Sequence, residues 1–488
     1  MSGSAVLSID IGSSSVRAGL YDERAEPVPG TTSHRTHRFT ALDGGGSEAD
    51  ADGLLDLVTS CMDETLAASP PDIPIKAVSI CTFLHGLLGV DQEGRAATPV
   101  LTWADSRSQP QADRLASRLG PEAVRQRTGC PLHPVYYPSK IQWLRETRPD
   151  LHRRVQWWCS IGEYCLRRFT GARSCSISLA AGTGLLDRSS CAWDPALLAA
   201  IGAGVASFSP LAGAPARLVP RFASRWPALG SAAWLSPLGD NVCSSAGCGC
   251  DAPGRAALMI GTTGALRLAR EAPLGQAPKP IPAGLWAYRM DQARELVGGV
   301  LGDGGSLFEW LSTSLHTGTP RDQMDAELLA APPAAHGLTV LPFLTGERST
   351  GWNPKARGAV IGIGPGTRPM EILQAGLEAV AYRFAAILDR LRTIQPDIPH
   401  VTGTGGALRA SAAWGQILSD VLELPLVVSD AAEASSRGAA ILALRSLGIQ
   451  PELTFPVLRT LTPRASAAAA HRAAMQEQER LLAAIYPR

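Results

Sequence analysis

Residues 6–21 read VLSIDIGSSSVRAGLY, and residues 256–268 read AALMIGTTGALRL. In the first stretch, strand-forming apolar residues 6–9 run into Asp10, Gly12 and three serines before a second run over residues 16–21. In the second, residues 256–260 run into Gly261, Thr262, Thr263 and Gly264 before residues 265–268. Each reads as a strand, a tight turn of small and hydroxylated residues, and a strand. The copies lie about half a chain apart, which predicts a duplicated fold with one such hairpin opening each half. The segment 246–254, AGCGCDAPG, is turn-rich and suits a crossing point. Two domains are therefore expected, residues 1–245 and residues 246–488.

Around the hairpins the pattern turns helical. In residues 372–391, apolar Ile372, Leu373, Leu377, Val380, Phe384, Ile387, Leu388 and Leu391 recur at three- and four-residue steps, the mark of an amphipathic helix. Residues 412–422, 439–446 and the Ala-rich 466–485 predict further helices. Strands alternating with helices give an α/β class.

Composition narrows the function. The chain has 488 residues, 45% hydrophobic and 18% charged, enough to bury a large core and unlike a disordered chain. Its 45 Lys+Arg against 44 Asp+Glu leave a net charge of +1, without the basic footprint of a general nucleic-acid binder. Ten cysteines are too dilute for a disulfide scaffold; the one close pair, Cys248 and Cys250, lacks a neighbouring histidine to complete a zinc set. They are read as buried thiols in a reducing compartment. The first residues lack a basic leader region, and the charge-free stretch 195–216 is broken by Gly and Pro. A soluble, cytoplasmic protein is expected, without membrane contact.

The turns carry the candidate chemistry. Gly12, Ser13, Ser14 and Ser15 offer backbone N–H groups and hydroxyls of the kind that bind phosphate. Asp10 beside them would repel a phosphate unless a divalent cation lay between, and Arg17 could add positive charge. Gly261-Thr262-Thr263-Gly264 offers the same chemistry from the other half. Gly302-Asp303-Gly304-Gly305 and Gly403-Thr404-Gly405-Gly406 each precede a helical run, another setting for phosphate. With 49 glycines, any one such string is uninformative. Four together, two related by duplication, suggest a nucleotide held between the halves. Asp240, near the crossing point, reads either as a base taking a proton from a substrate hydroxyl or as a turn residue satisfying its own backbone. Trp103, Asp105 and Arg107 combine an aromatic wall, a carboxylate and a guanidinium, suited to a polyhydroxylated ligand. His85 and His133 are polar candidates with a plain structural alternative. Glu347 and Arg348 read as a loop salt bridge.

These motifs, in order, resemble the FGGY carbohydrate kinase family. The residues that carry the likeness are DIGSSSVRAGLYD, TWADSRS (102–108), LGDN (238–241), IGTTGALRL, GDGGSLFEWL (302–311), LPFLTGERSTGWNPKARGAVIGI (341–363) and TGGALRASAAWGQILSDV (404–421). Residues 358–378 look like that family's C-terminal signature. The resemblance implies a two-domain actin-like, ribonuclease-H-like ATPase fold with a duplicated core, binding ATP and Mg²⁺ in the interdomain cleft. The first domain would hold sugar and γ-phosphate, the second the nucleotide. It implies Asp240 as catalytic base and Asp10, with Asp240, on the metal side. Ser13, Ser14 and Arg17, with Gly12 and Ser15 of the same turn, would face the γ-phosphate. Gly261, Thr262, Gly304 and Gly305 would face the inner phosphates, Gly405 and Gly406 the adenosine, and Glu309 would make a polar contact near the nucleotide. The acceptor would lie among Leu84, His85, Trp103, Asp105, Arg107, His133, Lys140 and Asp240.

Within the family, residues 127–144 (RTGCPLHPVYYPSKIQWL) and 177–194 (ISLAAGTGLLDRSSCAWD) resemble gluconokinases. Ser176 stands where those segments often carry Asp, and Leu84 where many relatives have Met. The implied reaction is ATP-dependent phosphorylation of the primary hydroxyl of D-gluconate, with Lys140 and Arg107 as candidate cations for the substrate carboxylate. The partner is a small sugar acid or sugar, and analogy adds a homodimer. The alternatives are a xylulokinase or another ketose or polyol kinase, a non-catalytic sugar sensor, and an actin-like filament or chaperone ATPase.

Overall fold

The computed structural model describes residues 3–431 and 433–487. Its first large sheet comprises β1 (Ala5–Ile11), β2 (Ser15–Tyr21), β3 (Ser33–Thr36), β4 (Ile75–Thr82), β5 (Ala233–Trp234) and β6 (Leu238–Gly239). The second comprises β7 (Ala256–Ile260), β8 (Gly264–Glu271), β9 (Trp286–Arg289), β10 (Arg294–Leu301), β11 (Val401–Thr404), β12 (Leu426–Ser429) and β13 (Val457–Leu461). The spatial order is β5–β4–β1–β2–β3, with β6 also on β4, in the first, and β9–β10–β8–β7–β11–β12–β13 in the second.

The two orders superpose. β1 pairs antiparallel with β2 and parallel with β4; β7 pairs antiparallel with β8 and parallel with β11. β3 and β10 continue the antiparallel side, while β5 and β12 continue the parallel side. This is the duplicated two-domain α/β architecture of the actin-like type. The helices repeat as well: α1 (Ala51–Ala67) precedes β4, and α3 (Gly305–Ser314) and the long α4 (Pro369–Arg392) precede β11. Every residue of β1 is buried, as a central strand covered on both faces should be, so its sequence is an apolar run interrupted only by Ser8 and Asp10.

Each half closes on a helix at the seam, α2 (Asp240–Gly247) and α5 (Ala434–Ser446). These two helices pack on one another, and α5 also packs on β1 and β4 of the first sheet. Glycine allows the close crossing. A Cβ on Gly438 would sit 1.7 Å from the Cys243 carbonyl oxygen, and one on Gly247 would sit 1.9 Å from that of Ala434. The expected division at 245/246 falls inside α2, so this helix belongs to the seam; the two sheets separate between Gly239 and Ala256.

One hydrophobic cluster lies on each sheet, and a third spans both halves, joining Leu84, Tyr136 and Trp158 to Trp286, Tyr288 and Leu296. Buried ion pairs reinforce this side: Glu295 accepts from Arg188, which belongs to the first half, and from Arg270. The halves are thus joined along one edge and at the crossing helices, with the hairpin turns facing the gap.

Candidate active site

Asp10 is the last residue but one of the buried β1, level with Arg17 on β2 and Cys81 on β4. Asp240 is the first residue of α2, aimed by the extended Gly239 before it. Burial pushes both carboxyls up to about 6; the Asp10 charge adds to the rise at Asp240, while Arg17 opposes it at Asp10 and Arg267 at Asp240. Two acids held together out of water resist double ionisation, and a proton or a cation between them relieves the strain. Asp240 stands at a cavity wall, and its carboxylate also accepts from the backbone N–H groups of Asn241 and Leu84, which favour its ionised form.

That cavity, of about 550 Å³, lies between the halves. Ser13, Ser14, Arg17, Leu84, His85 and Trp103 line it from the first half, beside Asp240 and Asn241. The second half supplies Arg267, Trp286, Tyr288, Arg348 and Trp352. A larger cavity of about 840 Å³ opens in the second half, walled by Phe308, Trp310, Leu377 and Trp414, with Gly305 and Glu309 among its lining. Gly261, Thr262 and Gly406 line both. The second hairpin turn therefore stands where the two cavities meet.

The smaller cavity presents fixed polar groups. His85 Nδ1 donates to the Gly182 carbonyl at 2.6 Å, and burial lowers its pKa to about 3. It is neutral near pH 7, and its other ring nitrogen is an acceptor. Its φ of 67° is the left-handed region, unusual for a non-glycine residue and typical of functional sites. Asn241 Oδ1 accepts from the Val242 N–H at 2.8 Å, while its Nδ2 is buried without a partner, a donor left for a ligand. Tyr136 and Tyr288 share a 2.6 Å hydrogen bond across the two halves, and Tyr288 stacks on Trp286 at 4.2 Å. Aromatic faces beside hydroxyl-bonding groups suit a polyol chain.

Several expected ligands lie behind this wall. Lys140 is fully buried, and its Nζ donates to the backbone carbonyls of His85, Thr102 and Leu101 at 2.7, 2.8 and 3.2 Å. Arg107 is clamped by Asp105 and Glu48 at 2.5 and 2.6 Å. Asp105 in turn accepts from the Ser47 N–H at 3.1 Å. Neither cation proposed for the substrate carboxylate is free to meet it; both are occupied in shaping the wall. His133 packs on Trp352 at 5.3 Å and supports that ring from behind. Glu347 pairs with Arg383 at 2.9 Å, an ion pair made with another element and not with the neighbouring Arg348.

Three guanidinium groups do reach the cavity. Arg17 pairs with Glu433 of the other half at 3.1 Å. Arg267 donates to the hydroxyls of Ser244 and Ser245 on α2 at 2.5 and 2.9 Å. Arg348 rests over the Trp103 ring at 5.3 Å. Strand alternation could have found Arg267, since Ala265 and Arg267 share the cavity face of β8, and likewise Trp286 with Tyr288 on β9. Arg348 gave no such signal, because the acid beside it in sequence offered a partner.

The glycines of the turns act through backbone. Gly12 N–H closes the first turn on the Ser15 carbonyl at 2.9 Å; Ser15 itself is buried at the start of β2 and does not line the cavity. Gly304 and Gly305 N–H donate to the Thr262 and Gly261 carbonyls at 3.0 and 2.8 Å, locking the third turn onto the second. Gly405, at φ 100°, has room for no side chain: a Cβ would meet the Ile260 carbonyl oxygen at 2.2 Å.

Among the described residues the cysteines are all free and buried, and no group of three or more His, Cys, Asp or Glu residues could hold a metal ion. No helix there is long and apolar enough to cross a membrane.

Comparison with known proteins follows this geometry. Residues 5–224 match the N-terminal domain, and residues 256–447 the C-terminal domain, of the FGGY family of carbohydrate kinases. The gluconokinase of Bacillus subtilis is 27% identical, with 91% of this chain and 88% of that protein covered. The xylulose kinase of Escherichia coli is also 27% identical, with 85% and 84% covered. The crystal structure of a gluconate kinase from Lactobacillus acidophilus superposes with a TM-score of 0.90 over 99% of this chain and 98% of that one, at 22% identity.

Proposed function

The chain belongs to the FGGY family of carbohydrate kinases, and on that premise we propose that it transfers the γ-phosphoryl group of ATP to the primary hydroxyl of D-gluconate, giving 6-phospho-D-gluconate. One observation carries the reading: Asp240 lines a sugar-sized cavity that meets a nucleotide-sized one across a single glycine-hydroxyl turn. Asp240 takes the proton of the acceptor hydroxyl, whose oxygen attacks in line. Ser13, Ser14 and Arg17 bind the γ-phosphate; Thr262 binds the inner phosphates, with Gly305 lining the space beside it; the apolar cavity with Glu309 and Gly406 takes the adenosine. His85 and Asn241 bind acceptor hydroxyls, and Trp103 and Trp286 shape the wall.

Asp10 and Asp240 would hold Mg²⁺. Their mutual burial fits a divalent cation, and two carboxylates suffice because such an ion takes its remaining ligands from phosphate and water. When bound, it offsets charge on the phosphates. The free, buried thiols support a cytoplasmic setting.

Arginines on the acceptor cavity favour an anionic sugar. A ketose such as xylulose is the second reading, favoured by the xylulose kinase of the same percentage identity. Initial rates with ATP on D-gluconate, D-xylulose and glycerol decide: gluconate is expected to show the highest kcat/KM. A neutral acceptor that exceeds it removes the sugar-acid reading, and absence of transfer to every acceptor removes the kinase reading.

A further inference from the structure

We propose that Arg348 is the specificity-determining residue that selects a carboxylate-bearing acceptor, gripping the acid end of the chain while the far hydroxyl lies at Asp240. The proposal rests on reading the 550 Å³ cavity as the acceptor site of a sugar-acid kinase.

The charges sort themselves along the cavity. The cation that acts on Asp240 is Arg267, held against α2 by Ser244 and Ser245. Arg348, which lines the same cavity, bears instead on His85, His133, Tyr136 and Lys140. None of these carries a negative charge near pH 7. The one acid within its reach, Asp303, is engaged by the Thr345 N–H and hydroxyl at 2.9 and 3.1 Å. Among the described residues the Arg348 guanidinium has no hydrogen bond and no carboxylate partner; its one contact is the Trp103 ring.

A guanidinium out of bulk water and unpaired is costly, and burial pulls its pKa down. It becomes favourable when a ligand brings the missing acceptor. A planar fork of N–H donors matches a carboxylate two bonds at a time, which a neutral hydroxymethyl group cannot reproduce. The guanidinium carbon lies 5.3 Å from the centre of the Trp103 ring, which belongs to the opposite half.

D-glucitol is the matched probe, identical to D-gluconate except for a hydroxymethyl in place of the acid. In Arg348→Met, KM for gluconate should rise roughly 10- to 100-fold with kcat changed only a few-fold, as expected when a bond to a charged group is lost. The kcat/KM for glucitol should change less than about threefold, and Arg348→Lys should recover part of the gluconate KM. A gluconate kinase whose Arg348→Met variant loses both acceptors in equal proportion, with Arg348→Lys no better, overturns this assignment alone. A wild-type enzyme that phosphorylates ketoses and leaves gluconate untouched overturns the sugar-acid reading and this assignment together.

Discussion

The two hairpins that open the halves share a backbone and differ in charge. β1 carries Asp10 near its end, level with Arg17 on β2. β7 ends on Met259 and Ile260, level with Ala265 and Gly264, and its cation, Arg267, lies further along β8. The cavities follow suit: charged and polar groups cluster beside the first turn, while the second leads into a pocket walled by Phe308, Trp310 and Trp414. Duplication supplies two equivalent turns; charged and polar groups gather at one and an apolar pocket opens at the other. The proposed division of labour can be broken at either side.

The largest expected effect is at the acid. Asp240→Asn should lower kcat by roughly 10²- to 10⁴-fold, the usual worth of a general base, while nucleotide binding by calorimetry stays within about threefold. A variant that loses nucleotide affinity to the same degree would show that the halves do not divide the work. The free-enzyme kcat/KM should also rise with pH through about 6, because the base must be ionised and its pKa is raised to that value. A flat profile from pH 5 to 8 would remove the assignment.

The seam comes next. Gly438→Ala and Gly247→Ala each put a Cβ into a backbone carbonyl of the facing helix, at 1.7 and 1.9 Å. Backbone cannot yield as a side-chain tip does, so each should cost about 1–3 kcal/mol or more, read as a fall in the urea midpoint. Because α2 and α5 face one another reciprocally, the two losses should be similar. One tolerated substitution would show the crossing to be one-sided.

These contacts also mark what was legible in the chain. The hairpins, the run of α4 and the helix Ala412–Leu422 follow from period and turn chemistry, which are local. Asp240 and residues of the first two turns line one cavity. The seam did not read out, because Gly247 and Gly438 are far apart in sequence and only their crossing gives them meaning. The acceptor wall was half legible. Trp103 of TWADSRS lines the cavity, but Arg107 and Asp105 satisfy one another behind it, and Lys140 is consumed by carbonyls. A charged residue's partner is a tertiary fact, so sequence could not tell an occupied cation from a waiting one.

A smaller effect sharpens the comparison through stability. The Asp240 carboxyl has a folded pKa of about 6 against an ordinary 3.8. The favourable protonated state is fully present below 3.8 and is lost as pH rises through 6. Above that, the folded protein carries a buried like-charge pair. In the absence of ligands, Asp240→Asn should then be more stable than wild type at pH 7.5 by about 1–3 kcal/mol, with the difference vanishing below pH 4. Equal stabilities across that range, by chemical denaturation, would show that the pair is already solvated.

The smallest effect is at the ion pair that spans the cleft. Arg17 and Glu433 lie 3.1 Å apart with side chains 28% and 39% exposed, so water screens them and the pair should contribute only about 0.2–1 kcal/mol. Its interest is competitive. Arg17 lines the acceptor cavity and is a proposed γ-phosphate ligand, and a carboxylate already on it must be displaced when phosphate arrives. Glu433→Gln should leave thermal stability nearly unchanged and lower KM for ATP about two- to fivefold, with the gain shrinking as salt is raised and the native pair is screened. If KM for ATP rises instead, Glu433 positions Arg17 for the phosphate and does not compete for it. The first turn would then depend on the second half for its charge geometry as well as for its closure.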